Sequence, residues 1–231
     1  FPLVALSGIG LYSWTGSEWS FVVPLVLFYG GTALFDWLLG EDTSNPPEEL
    51  VPQLEADAYY RWLPILTVPM HFAVLIAVAW FAGTHDVSWP ALLALALTAG
   101  LYSGIGVNTA HELGHKKTDL ERWMARIVSA VPAYGHFCVE HNRGHHRHVA
   151  TPADPASSRM GENIYKFACR EIPGAFRRGW NAEKERLARQ GKSAWHHENE
   201  ILQSYALTAV LQASLVVAFG WEMLPFPAVH T

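Results

Sequence analysis

Cysteine is scarce in this chain. Only two of its 231 residues are cysteine, Cys138 and Cys169. That leaves no disulfide framework and no CxxC redox or zinc motif. Charge is scarce as well, at 16% of residues against 50% hydrophobic. A disordered chain needs the opposite balance and few aromatics, and this one carries ten tryptophans. Basic residues are missing from most of the N-terminal half: apart from Arg61, every Lys and Arg lies between Lys116 and Lys192. With a net charge of −5 the chain also lacks the basic excess of a nucleic-acid binder.

Some stretches have no charge at all. Residues 62–85, 87–111 and 201–221 contain no Asp, Glu, Lys or Arg, and 19–39 contains only Asp36. A bilayer core of ~30 Å is crossed by about 20 apolar residues in a helix. The runs predict an all-α polytopic membrane protein, a bundle of transmembrane helices in one membrane domain over 1–231. Approximate spans are 1–14 (truncated), 19–39, 62–82, 88–111 and 201–221. Pro64 and Pro69 are expected to kink the third span, and Ser88 is a candidate N-cap for the fourth. The chain opens at Phe1 inside an apolar stretch, without the charged segment of a signal peptide, and reads as an internal piece of a longer protein. Loops rich in Lys and Arg stay in the cytoplasm, so 111–200 is expected on that side.

The remaining signal is histidine, twelve in all. NTAHELGHKK closes the fourth span, and its His111 and His115, four apart, share one helix face. From Pro90 to His111 is ~32 Å of helix at 1.5 Å per residue, which puts the pair at the cytoplasmic edge of the hydrocarbon. A second cluster, GHFCVEHNRGHH, carries His141, His145 and His146. If helical, His141 and His145 share a face, with His146 beside them. Neutral imidazole is a good ligand for iron, copper, nickel and zinc, and five histidines in two compact clusters point to a metal site. Glu112, His136, Glu140 and Asp154 are candidates to accept the spare N–H of a metal-bound imidazole. His71, alone inside a span, is expected to be a satisfied polar contact. His148, His196 and His197 read as surface residues. Ser103, Gly104 and Gly106 are expected to allow close helix approach. Phe28, near mid-depth of the second span, is a candidate for the far end of a substrate channel. Arg177, Arg178, Lys184, Arg186 and Arg189 form a basic face, assigned mainly to holding topology.

HELGH also fits the helical zinc-protease motif, in which Glu112 would be the general base. A single catalytic zinc takes three protein ligands and an open position, which five histidines exceed. A metal transporter would place its ligands near the bilayer midplane instead.

NTAHELGHKK, YGHFCVEHNRGHH and VATPADPASSRMGE, with GEDTSNPPEE and REIPGAF, resemble the alkane 1-monooxygenases (alkane omega-hydroxylases) among the membrane di-iron oxygenases. The resemblance covers most of the chain. It implies a six-span bacterial inner-membrane enzyme with its active site on the cytoplasmic side. Such an enzyme uses two iron ions and O2 to hydroxylate the terminal carbon of an n-alkane taken from the lipid, with electrons from rubredoxin. His111 and His115 match its first histidine box, and His141, His145 and His146 its second; these five are carried over as metal ligands. The family's further histidines have no match after His146, so this chain alone is expected to hold about half the metal site and to be inactive in isolation. A fatty-acyl desaturase or hydroxylase of the same histidine-box superfamily is the alternative.

Overall fold

The computed structural model describes residues 2–42 and 44–220, and among them it is helical with no strand. Helix α1 covers Ser7–Thr15 and α2 covers Glu18–Leu39. They are followed by α3, Ala58–Thr84, and α4, Trp89–Gly114. Next come α5, Asp119–Ser129; α6, residues 137–148; α7, Ile164–Ala188; and α8, Glu200–Phe219. Among the described residues α2, α3, α4 and α8 are long and apolar enough to cross a membrane.

Polar residues at the ends fix where these helices start. Asp57, extended at φ −69° and ψ 126°, accepts the Tyr59 N–H at 2.8 Å, so α3 begins at Ala58 and takes Arg61 inside its first turns. It stays helical through Pro64 and Pro69, and Thr67 Oγ1 donates to the Pro64 carbonyl at 2.7 Å. Ser88 is held by Glu18: its N–H donates to the carboxylate at 2.8 Å, and so does its hydroxyl. The expected N-cap is therefore committed to the start of α2, while its carbonyl accepts Leu92 N–H at 3.0 Å. The expected end of the last span at Trp221, and His230, lie outside the described residues.

By internal contacts the chain divides into two compact units, one running to Thr109 and resuming at Gln212, the other Ala110–Leu211. In the first, Tyr12, Phe21 and Phe81 form an aromatic cluster with centroids 4.9–5.4 Å apart. Leu75, Val78 and Ala79 of α3 are fully buried. Between apolar helices such contacts act through close packing, because lipid tails are as apolar as the side chains. His71 is the satisfied contact expected of it, its Nδ1 3.1 Å from the Tyr102 carbonyl. Phe28 lies in a π-helical turn of α2, Leu27–Gly31, with its ring 6.1 Å from that of Tyr102. It is half-buried against protein rather than wholly turned to lipid. Gly104 does not serve close approach: a Cβ there would meet nothing within 4 Å.

In the second unit two glycines of α7 do serve it. A Cβ on Gly174 would sit 2.7 Å from Pro155 Cβ, and one on Gly179 3.2 Å from Glu140 Cβ. Both distances are shorter than ordinary van der Waals contact. α7 starts at Asn163, whose side chain caps the Lys166 N–H at 3.0 Å. It lies along α6 and the loop after it, and so packs behind the histidine helix.

Candidate metal centre

α4 delivers His111 within its last turn and His115 just beyond its end. Their Nε2 atoms are 3.1 Å apart, as residues one helical turn apart should be. The end of α4 is closed by α6: Asn142 Nδ2 donates to the Gly114 carbonyl at 3.0 Å, satisfying one of the carbonyls a helix leaves open.

α6 departs from the expected geometry. Residues His141–His145 form a π-helical turn, which widens the helix and shifts its register by about one residue. His141 now meets His146, five positions on, Nε2 to Nε2 at 3.0 Å. The ligating nitrogens of His111, His115, His141 and His146 all lie within 4.8 Å of one another. His145 shares the face of His141, its ring stacked on that of His141 at 5.3 Å, but turns Nδ1 to Asp154 Oδ2 at 2.9 Å. It stands beside the group of four, not in it.

The carboxylates divide the same way. Glu112 Oε1 approaches His111 Nδ1 at 3.3 Å from an exposed position. Asp154 holds His145 and is held in turn by the Ser157 hydroxyl (2.5 Å), the Ala156 N–H (3.1 Å) and Arg178 (2.7 Å). Burial pushes the Asp154 carboxyl up, but the hydrogen bonds from Ser157, the Ala156 N–H and His145 win and keep it below the usual aspartate value. Glu140 touches no histidine side chain among the described contacts; it pairs with Arg178, which bridges it to Asp154. Arg178 therefore belongs to the site, not to an open basic face. Arg186 is likewise committed, to fully buried Glu183 at 2.5 Å. Arg143, inside the π-helical turn, ties α6 to Glu183 of α7 at 2.5 Å and to Glu200 of α8 at 3.0 Å. Sequence reasoning missed the roles of Arg143 and Arg178, because nothing in their spacing marks them as partners of buried carboxylates.

Four converging imidazoles fit a transition-metal ion only while neutral, since the nitrogen lone pair is the ligand. Burial, then the neighbouring histidines, lower His141 to about 4. The same two causes, burial ahead of His111, lower His115. The donor set suits iron, zinc, copper or nickel. A second grouping, His196, His197 and Glu198, also lies within 4.8 Å, but its carboxylate is engaged by Lys192 at 2.5 Å.

His136 does not reach the cluster. Its Nδ1 is 2.8 Å from the Tyr205 hydroxyl, and burial lowers it to about 4 from the usual 6.5. The unfolded chain takes up that proton as pH falls through 6.5, whereas the folded chain resists until about 4. Its contribution to stability is thus full above pH 6.5 and lost between there and 4, by up to about 3 kcal/mol. His136→Phe is expected to flatten the acid side of the melting-temperature curve in that window; an unchanged slope counts against it.

The sequence model of the Fatty acid desaturase family matches residues 87–230. The Alkane 1-monooxygenase of Pseudomonas putida is 54% identical over 226 residues, 98% of this chain and 56% of that protein. The same figures hold for the Alkane 1-monooxygenase of Ectopseudomonas oleovorans and for Alkane 1-monooxygenase 1 of Alcanivorax borkumensis. The chain spans about half the length of these curated relatives.

Proposed function

Because the chain belongs to the fatty acid desaturase family, we propose that it is the histidine-bearing part of a membrane non-haem di-iron monooxygenase that hydroxylates the terminal carbon of alkanes. The observation that carries this is the convergence of His111, His115, His141 and His146 within 4.8 Å at the end of an apolar helix. With His145, and with histidines from the rest of the protein, they would hold two iron ions. Those ions supply O2 activation when bound. The likeness to the alkane 1-monooxygenases supports an n-alkane as substrate class, and rubredoxin is the donor that the resemblance of the histidine motifs implies. The basic residues of 116–192 support a cytoplasmic face for the site in a bacterial inner membrane.

The chain's own residues do the positioning. Asp154 fixes the His145 ring by its Nδ1 and leaves Nε2 as donor, while Glu112 only approaches His111 Nδ1 at 3.3 Å from an exposed position. An alkane offers no polar handle, so an apolar passage must select it by shape. Phe28 against Tyr102 is the place where α2 can end such a passage. Phe28→Ala in the full-length enzyme is expected to shift the preferred substrate to longer chains by a few carbons. An unchanged product profile across octane to hexadecane sinks that assignment.

The reaction itself is tested with full-length protein, purified with iron and supplied with rubredoxin, its reductase and 18O2. Two irons per chain and 18O in 1-octanol are expected. Label absent from the alcohol overturns the monooxygenase reading. An alkene product without label favours the desaturase alternative.

A further inference from the structure

His136 follows Gly135, and that glycine sets its surroundings. A Cβ on Gly135 would lie 2.8 Å from Ser204 Cβ and 3.2 Å from the Tyr205 N, so the backbone runs directly against α8. His136 is thereby packed beside Tyr205 and is only 3% exposed. Tyr205 occupies its Nδ1, while Nε2 is buried and has no partner among the described residues. Burying a polar nitrogen unmet carries a desolvation penalty, so an unpartnered one calls for an explanation.

The same imidazole lines a hollow of about 510 Å³, within the size range of small-molecule sites. Ile172, Phe176 and Trp180 of α7 form its apolar wall, with Tyr205 beside His136 and exposed Arg177 on the margin. Phe176 stacks on Trp180 at 6.4 Å and meets His136 edge-on at 5.5 Å. Tyr205 is five residues into α8, about 8 Å from its start at 1.5 Å per residue. The hollow therefore lies where the polar end of α8 gives way to its apolar run, the level at which a molecule with one polar end and one apolar chain partitions.

We propose that this hollow binds a single-chain amphiphile with a neutral oxygen head, a long-chain primary alcohol, whose hydroxyl bonds His136 Nε2 while its chain lies along Phe176 and Trp180. A hydroxyl both donates and accepts, so it satisfies Nε2 whichever ring nitrogen carries the hydrogen. A carboxylate would be drawn to the Arg177 guanidinium at the margin and leave Nε2 unmet. Binding at this site needs neither iron nor turnover.

The test uses iron-free full-length enzyme in phosphatidylcholine nanodiscs and a 1-dodecanol carrying a mid-chain diazirine. After photolysis, peptide mapping is expected to place label within 172–180 and near Tyr205. 1-Dodecanol should compete for it and dodecane should not. At pH 8, above the range in which His136 titrates, His136→Phe should lower labelling about five-fold at unchanged melting temperature, and His136→Gln, which keeps a hydrogen-bonding group, should recover part of it. Should His136→Phe fail to fold, the competition experiment on the unmodified enzyme decides alone. Label elsewhere, or equal competition by dodecane, overturns the proposal. Stronger competition by dodecanoate that is lost in Arg177→Gln assigns the hollow to an anion and overturns it too.

Discussion

Asp154→Asn is expected to lower the iron affinity of the full-length enzyme by 10- to 100-fold with the helices intact. The side chain of Asp154 is fully buried, and its two oxygens serve four partners: His145, Ser157, the Ala156 N–H and Arg178. A carboxylate in this position fixes which nitrogen of His145 faces the site and makes that nitrogen more basic. Removing such a partner typically costs 10–100-fold in metal affinity. The amide keeps the volume but loses the charge and one acceptor, so Arg178 is left facing Glu140 alone. Chelator competition at fixed pH reads the affinity, and circular dichroism checks the fold. An affinity within two-fold of the parent means that the bond between Asp154 and His145 does not serve the metal.

Gly144→Ala is expected to be the more damaging change to the fold, although it adds one methyl group. Gly144 is buried inside the π-helical turn, and a Cβ there would stand 2.5 Å from Arg178 Nε and 3.0 Å from Glu140 Oε1. Neither side chain can yield freely, because Arg178 also holds Asp154 and the Ala153 carbonyl. Displacing the guanidinium leaves buried carboxylates without their cation, which costs about 3–5 kcal/mol. A fall in melting temperature together with reduced iron content is the expected pair of readouts. A melting temperature unchanged within a degree would show that Arg178 can be rehoused.

The membrane-crossing helices were legible because their signal is the absence of charge over long runs, which a helix in lipid requires whatever surrounds it. His111 and His115 were legible because α4 keeps ordinary helical spacing up to them. At the second cluster helical spacing accounts for the stacking of His145 on His141 but not for the nearest nitrogen pair: a π-helical turn brings His141 to His146, five positions on, while His145 turns Nδ1 to Asp154. Asp154 could be suspected from its nearness in sequence. Arg178 could not, since it lies 24 positions from Asp154 and 38 from Glu140, and an arginine beside other arginines reads as an open surface. His136 reads from its proximity along the chain as a candidate partner for a metal-bound imidazole, whereas the approach of Gly135 to α8 turns it to Tyr205.

A π-helical turn amounts to an α-helix that has absorbed one extra residue. The chain length between His141 and His146 is thus a determinant in its own right. Deleting Asn142 alone would let α6 rewind into ordinary turns and bring His146 to four residues after His141, still on the same face. Adding a residue there would instead turn everything beyond it by roughly 100° relative to His141, so that every histidine survives yet His146 and Asp154 no longer face their present partners. Within this short interval a codon gained should be as damaging as a histidine replaced, while conservative exchanges at exposed Arg147 leave the site undisturbed.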